Sequence, residues 1–178
     1  LGLPGETLKS HLDGYKLLID SGIQKLTSFQ AMILKSTELE TPSTRERYEI
    51  QTRWRALPRC FGEYSGTKSV EIEEISVATS TMSFEDYLKA RDWHLVVHIF
   101  FNEWIYRELL EYLASHGISA YEWLEAILGS LADYPPEIAE LFRQFRQDTR
   151  EELFETKEEA MAFLTEPENF ERLIKGEY

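Results

Sequence analysis

From Ser83 onward the chain is punctuated by helix starts and stops at spacings that only a run of helices accommodates. Ser83 with Asp86, Ser119 with Glu122 and Thr156 with Glu159 each set a hydroxyl residue three positions ahead of an acid, the pattern of an N-terminal cap. Gly117 and Gly176 read as stops, and Pro135-Pro136 and Pro167 as fresh starts. These marks predict helices from Ser83 through about Asn102, from Trp104 to His116, from Ser119 to near Leu131, from Pro136 toward Phe154, after Thr156, and from Pro167 to Gly176. The first of these is apolar nearly all round at Leu95, Val96, Val97, Ile99, Phe100 and Phe101, as a central buried helix would be.

Residues before Ser83 read differently. Leu1 to Leu3 looks like a strand end, Pro4-Gly5 like a turn, and Glu6-Thr7 like a helix opening. Leu8, Leu12, Tyr15, Leu18 and Ile19 form one helical face, and Gly22 closes it. Lys25 to Ile33 alternates and is predicted as a strand, which makes strand end, helix, glycine, strand: one unit of an alternating β/α fold. Residues 35–68 look loop-rich, with Ser43 and Glu46 as a capping pair for a short helix through Tyr48. Arg53 to Tyr64, with Pro58, Gly62 and three aromatics, is expected to be ordered only by packing. Val70 to Val77 reads as a strand, although Glu71, Glu73 and Glu74 leave a short helix near 71–79 open.

Charge separates the same two regions. The chain of 178 residues carries a net −13, but residues 1–100 hold only −2 of it and residues 101–178 hold −11. Within the first part Arg45, Arg47, Arg53, Arg55, Arg59 and Lys68 make a local basic stretch. Net acidity argues against a general nucleic-acid binder, whose phosphate contacts need a basic face, and against docking on anionic membranes. No apolar run approaches the ~18 residues of a membrane span. The lone Cys60 excludes a disulfide within the chain and any cluster held by several of its cysteines. The hydrophobic share of 43% suffices for a core.

The heptad Leu1-Gly2-Leu3-Pro4-Gly5-Glu6-Thr7, ahead of an amphipathic helix, resembles a segment of radical S-adenosylmethionine enzymes, in which a late barrel strand ends in Gly-Leu/Phe-Pro-Gly-Glu-Thr. Ser21-Gly22-Ile23, Ser36-Thr37-Glu38-Leu39, Arg45-x-x-Tyr48, Thr52-Arg53-Trp54-Arg55, Pro58-Arg59 and Phe61-Gly62-x-Tyr64 follow in the order found in members that carry a cobalamin-binding domain. The resemblance covers about residues 1–90. It implies a partial (β/α) barrel with a [4Fe-4S] cluster and S-adenosylmethionine, with Gly2, Leu3, Pro4, Gly5 and Glu6 on the adenine side of that cofactor. The alternative for the turn is an ordinary strand-to-helix connection in which Glu6 serves the helix dipole. The family's cluster needs a Cys-x-x-x-Cys-x-x-Cys run, and this chain has only Cys60. The resemblance therefore implies the C-terminal portion of such an enzyme, inactive alone, whose partners are the barrel and cobalamin-type domains ahead of it.

Other constellations point less far. Arg53 and Arg55 flank Trp54 and are the better candidates for a substrate carboxylate or phosphate, against the alternative that these arginines are simply paired. His94 and His98 have the i, i+4 spacing of a metal pair but lack the acid of a zinc motif, in apolar surroundings that favour satisfied histidines. Cys60 beside Arg59 reads as a packing residue rather than a nucleophile. No catalytic residue and no metal ligand is assigned.

The expectation is an α+β, predominantly α-helical chain. Residues 1–80 supply the last β/α units of a partial (β/α) barrel with an Arg-rich connector. Residues 81–178 form an acidic helical bundle that helps shape a small-molecule substrate pocket. Cytoplasmic location, no nucleic acid, no membrane and a homodimer of the fragment complete it. The competing expectation is an acidic helical protein-interaction module without ligand chemistry.

Overall fold

A computed structural model describes residues 1–176. Among them the elements are α1 (Leu8–Asp20), α2 (Pro42–Arg47), β1 (Gln51–Tyr64), β2 (Thr67–Ala78), α3 (Phe84–Val96), α4 (Arg107–Ser115), α5 (Ala120–Gly129), α6 (Pro136–Glu151), α7 (Lys157–Thr165) and α8 (Pro167–Lys175). The described chain is mostly helical, with one two-stranded antiparallel sheet. None of its helices is long and apolar enough to cross a membrane. It forms two compact units, each drawn from separated segments.

The helical unit takes Glu6–Phe29 and Met82–Gln147, together with Leu1. Its core joins Tyr15 and Ile19 of α1 to Trp93, Val96 and Val97, to Tyr121, Leu124 and Ile127 of α5, and to Phe142 of α6. Trp93 is the keystone: its ring meets Tyr15 edge-on at 6.0 Å and Tyr121 at 4.9 Å. The caps lie where hydroxyls and acids were spaced for them. Ser83 accepts from the Asp86 backbone N–H, and Ser119 with Glu122 closes a capping box. Beyond Val96, α3 widens into one π-helical turn, Val97–Asn102. This turn delivers Asn102 to Leu26, whose backbone N–H and C=O it grips at 2.9 and 2.7 Å.

That grip explains one departure from the sequence expectation. Lys25 to Ile33 is extended, but it is not a strand; among the described residues it pairs only at Met32, in a lone antiparallel bridge to Ile75. Leu26 has given its backbone groups to a side chain, and Ser28 binds the Tyr15 hydroxyl at 2.5 Å. Alternation marks extended backbone, and a ladder needs a partner strand as well.

The hairpin unit takes Gly2–Gly5, Gln30–Thr81 and the chain from Asp148 onward. β1 and β2 pair from Gln51↔Ala78 to Tyr64↔Thr67, joined by Ser65-Gly66, both at positive φ, as a tight two-residue hairpin turn requires. The segment expected to be loop is thus the longer strand. What disguised it is a bulge: Leu57 to Cys60 stand between the pairs Ala56↔Ile72 and Phe61↔Val70, opposite Glu71 alone. Pro58 cannot donate to a ladder, and Arg59 at φ 65° turns the chain there. The question left open over residues 71–79 resolves as strand.

Both edges of the hairpin are touched at one point. Trp54 and Phe154 exchange backbone hydrogen bonds of 2.9 and 2.8 Å, and on the other edge the Ile33 N–H donates to the Glu74 carbonyl at 2.8 Å while the Ala31 carbonyl accepts from the Ser76 N–H at 2.9 Å. α7 and α8 cover one face, burying Val70, Phe154, Ala160, Leu164, Phe170 and Leu173. Thr156 caps α7 through the Glu159 N–H, as its spacing predicts. For α2 the cap is Thr41 rather than Ser43, because Pro42 takes the first helical position, where its missing N–H costs nothing.

Candidate functional site

The Gly-Leu-Pro-Gly turn lies in the hairpin unit. Gly2 has φ +92°, and a Cβ there would stand 2.8 Å from the Ser76 carbonyl oxygen, so its glycine is required by close packing on β2. Leu3 is exposed. Gly5, at φ +82°, has nothing within 4 Å of where a Cβ would be, so its backbone is open to an approaching group.

Glu6 belongs to the helical unit, where it accepts from His11 Nδ1 at 2.8 Å. The other ring nitrogen of His11 lies 2.8 Å from Nε2 of His94. The Tyr15 ring packs against both imidazoles, at 5.4 and 5.8 Å. A carboxylate only accepts, so His11 carries a proton on Nδ1. Burial above all, and then the charges of His11 and Arg91, push the His94 pKa down to about 2. His94 is therefore neutral, and its Nδ1 is buried with no hydrogen-bond partner among the described residues. The result is a carboxylate–imidazole–imidazole chain with one unsatisfied end.

His94 and His98 do not act as a pair. His94 turns its Nε2 to His11, and His98 is exposed; among the described residues no group of three His, Cys, Asp or Glu side chains could hold a metal. Sequence reasoning singled out His94 and passed over His11. The two are 83 positions apart, and His11 has no motif around it.

The arginines of β1 are engaged. Arg55, 9% exposed, donates to Glu73 at 2.7 Å, to the Gln30 side-chain oxygen at 3.0 Å and to Glu152 at 3.3 Å. Arg53 pairs with Glu155 at 2.8 Å and donates to the Thr52 carbonyl. Arg45 forks onto Glu74 at 2.7 and 2.9 Å, and Thr52 adds a hydroxyl at 2.6 Å. Burial works against ionising Glu74, yet these donors hold its carboxyl below the ordinary range. Cys60 is a half-buried free thiol in the bulge.

One larger recess, about 690 Å³, opens in the helical unit between the end of α1, α4 and the start of α5. Ile23, Phe101, Trp104, Leu110 and Ile118 make it mainly apolar, with Asp20, Arg107 and Glu111 at hand. Small-molecule sites have this size and character.

No known family model matches the chain, and no curated protein matches it.

Proposed function

We propose that this chain is the C-terminal portion of a radical S-adenosylmethionine enzyme of the kind with a cobalamin-binding domain, and that it completes the barrel and the substrate pocket. The observation that carries the reading is the open backbone at Gly5 within Gly-Leu-Pro-Gly-Glu-Thr, directly ahead of Glu6 and the Thr7-capped start of α1. A turn whose Gly5 carries no side chain suits the edge of a flat cofactor. Gly2, with its Cβ position filled by β2, and Leu3 and Pro4 hold that turn. The 690 Å³ recess is the helical part's contribution to a small-molecule pocket. Of the two arginines, Arg53 is the better substrate contact, since its partner Glu155 is 70% exposed at the side chain and exchangeable. Arg55 holds the sheet.

A [4Fe-4S] cluster does not fit the residues present. Cys60 offers one thiolate where three are needed, so cluster, S-adenosylmethionine cleavage and any cobalamin chemistry belong to segments of the parent ahead of this one. Exposed apolar side chains such as Leu3 at 52% and Leu34 at 53% support a missing cover.

A second reading, an acidic helical interaction module, draws support from Ile105, Leu109 and Tyr112 around α4, exposed by 82%, 40% and 61%. The open reading frame ahead of Leu1 separates the two. An in-frame Cys-x-x-x-Cys-x-x-Cys run supports the enzyme reading, and its absence overturns it. Calorimetry with S-adenosylmethionine is expected to show no binding to this chain alone; micromolar binding contradicts an incomplete site.

A further inference from the structure

Arg91, His94 and His98 follow one another at helical spacing along α3 and into the π-helical turn. They line a second recess of about 240 Å³ in the helical unit, together with Tyr15, Ser28 and Asn102. A water occupies about 30 Å³ of liquid, so the space suits a group of several heavy atoms. Three observations set this recess apart.

No Asp or Glu lines it, although the protein carries a net −13. Arg91 lies over the Phe145 ring, 5.4 Å from its centroid, and its Nε is buried without a hydrogen-bond partner. Among the described residues Arg91 has no carboxylate partner. Arg45, Arg53, Arg55, Arg107, Arg143 and Arg146 each have one. Finally, His94 Nδ1 is the unsatisfied end of the chain that starts at Glu6. A half-buried cation and a buried ring nitrogen, both without partners, are costly. π-helical turns, moreover, occur often at functional sites.

We infer that this recess binds a small oxyanion, a phosphate or carboxylate group, held by the Arg91 guanidinium with His98 beside it and His94 in the wall. The guanidinium fork suits such a group. The residues all belong to the helical unit and need nothing from a barrel, so the isolated chain suffices as a test object.

The test is a titration of chain labelled at histidine nitrogen with inorganic phosphate and, separately, with acetate, at constant ionic strength in chloride. Saturable shifts of the His94 resonances at millimolar anion are expected, and the stronger anion names the class. R91Q, checked for native circular dichroism, should weaken binding at least about tenfold, which is about 1.4 kcal/mol. Absence of saturable shifts with both anions, or unchanged affinity in folded R91Q, overturns the inference. Should R91Q fail to fold, H98Q decides. Its side chain is exposed and its fold safe; a several-fold loss supports the site and unchanged affinity overturns it.

Discussion

Both units pair most of the arginines they enclose with carboxylates, and the helical unit half-buries one that it does not pair. In the hairpin unit Arg45, Arg53 and Arg55 each meet a carboxylate, and the acids of β2 that seemed out of place in a strand, Glu73 and Glu74, are their partners. In the helical unit Arg146 meets Asp92, but Arg91, one residue before that aspartate, meets only a ring. Half of the basic stretch that stands out in the sequence, Arg45, Arg53 and Arg55, is thus paired within its own unit. The inconspicuous Arg91, on a helix among histidines, is half-buried without a carboxylate partner among the described residues. A cluster of charges invites a functional reading, yet its meaning depends on whether the opposite charges fold onto it.

The comparison breaks most visibly at Arg55. R55M strands Glu73, itself 6% exposed, without its main partner, and should cost about 3–5 kcal/mol in urea denaturation. R91Q should cost far less, because no buried carboxylate is orphaned. Equal losses would erase the distinction between the two arginines.

Acid should act on the helical unit through His94. The unfolded chain takes up this proton near the ordinary histidine pKa of 6.5, whereas the fold refuses it down to about 2. Stability present above pH 6.5 is therefore lost as pH falls below it, at up to about 1.4 kcal/mol per pH unit. H94Q should flatten that slope relative to wild type in pH-dependent thermal melts; parallel slopes would contradict a buried neutral imidazole.

A smaller effect is expected at Gly2. G2A forces a left-handed φ on alanine and a clash with the Ser76 carbonyl, for a loss of about 2 kcal/mol. G5A suffers the φ alone and should lose less in the same denaturation series. Smallest is T156A, which removes the α7 cap and should cost about 1 kcal/mol.

Much of the helical part could be read from residues alone, because caps are local. Ser83, Ser119, Thr156, Gly117 and Gly176 act on neighbours within a turn, and the structure places them at helix ends. The hairpin was hidden because its evidence is split: Pro58 and Gly62 argue for loop, and only pairing across to Val70 and Ile72 shows that the strand survives its bulge. Lys25–Ile33 failed the other way, its alternation intact but its partners only the Asn102 side chain and one bridge at Met32. The histidine chain was beyond local reading, since nothing near His11 announces residue 94. Arg91 was equally silent, as an absent partner leaves no trace in a sequence.

The single-point bridges on the hairpin carry a consequence for how this sheet behaves in company. Two-stranded ribbons offer two unsatisfied edges, and such edges recruit strands from other molecules. Here Phe154 sits on one edge at Trp54, and Ala31 with Ile33 occupies the other between Glu74 and Ser76. Each is too short to be a strand, yet each interrupts the row of groups an incoming chain would have to zip along. The ribbon is sealed against growth at mid-length by its own chain, like a fabric edge held by two stitches.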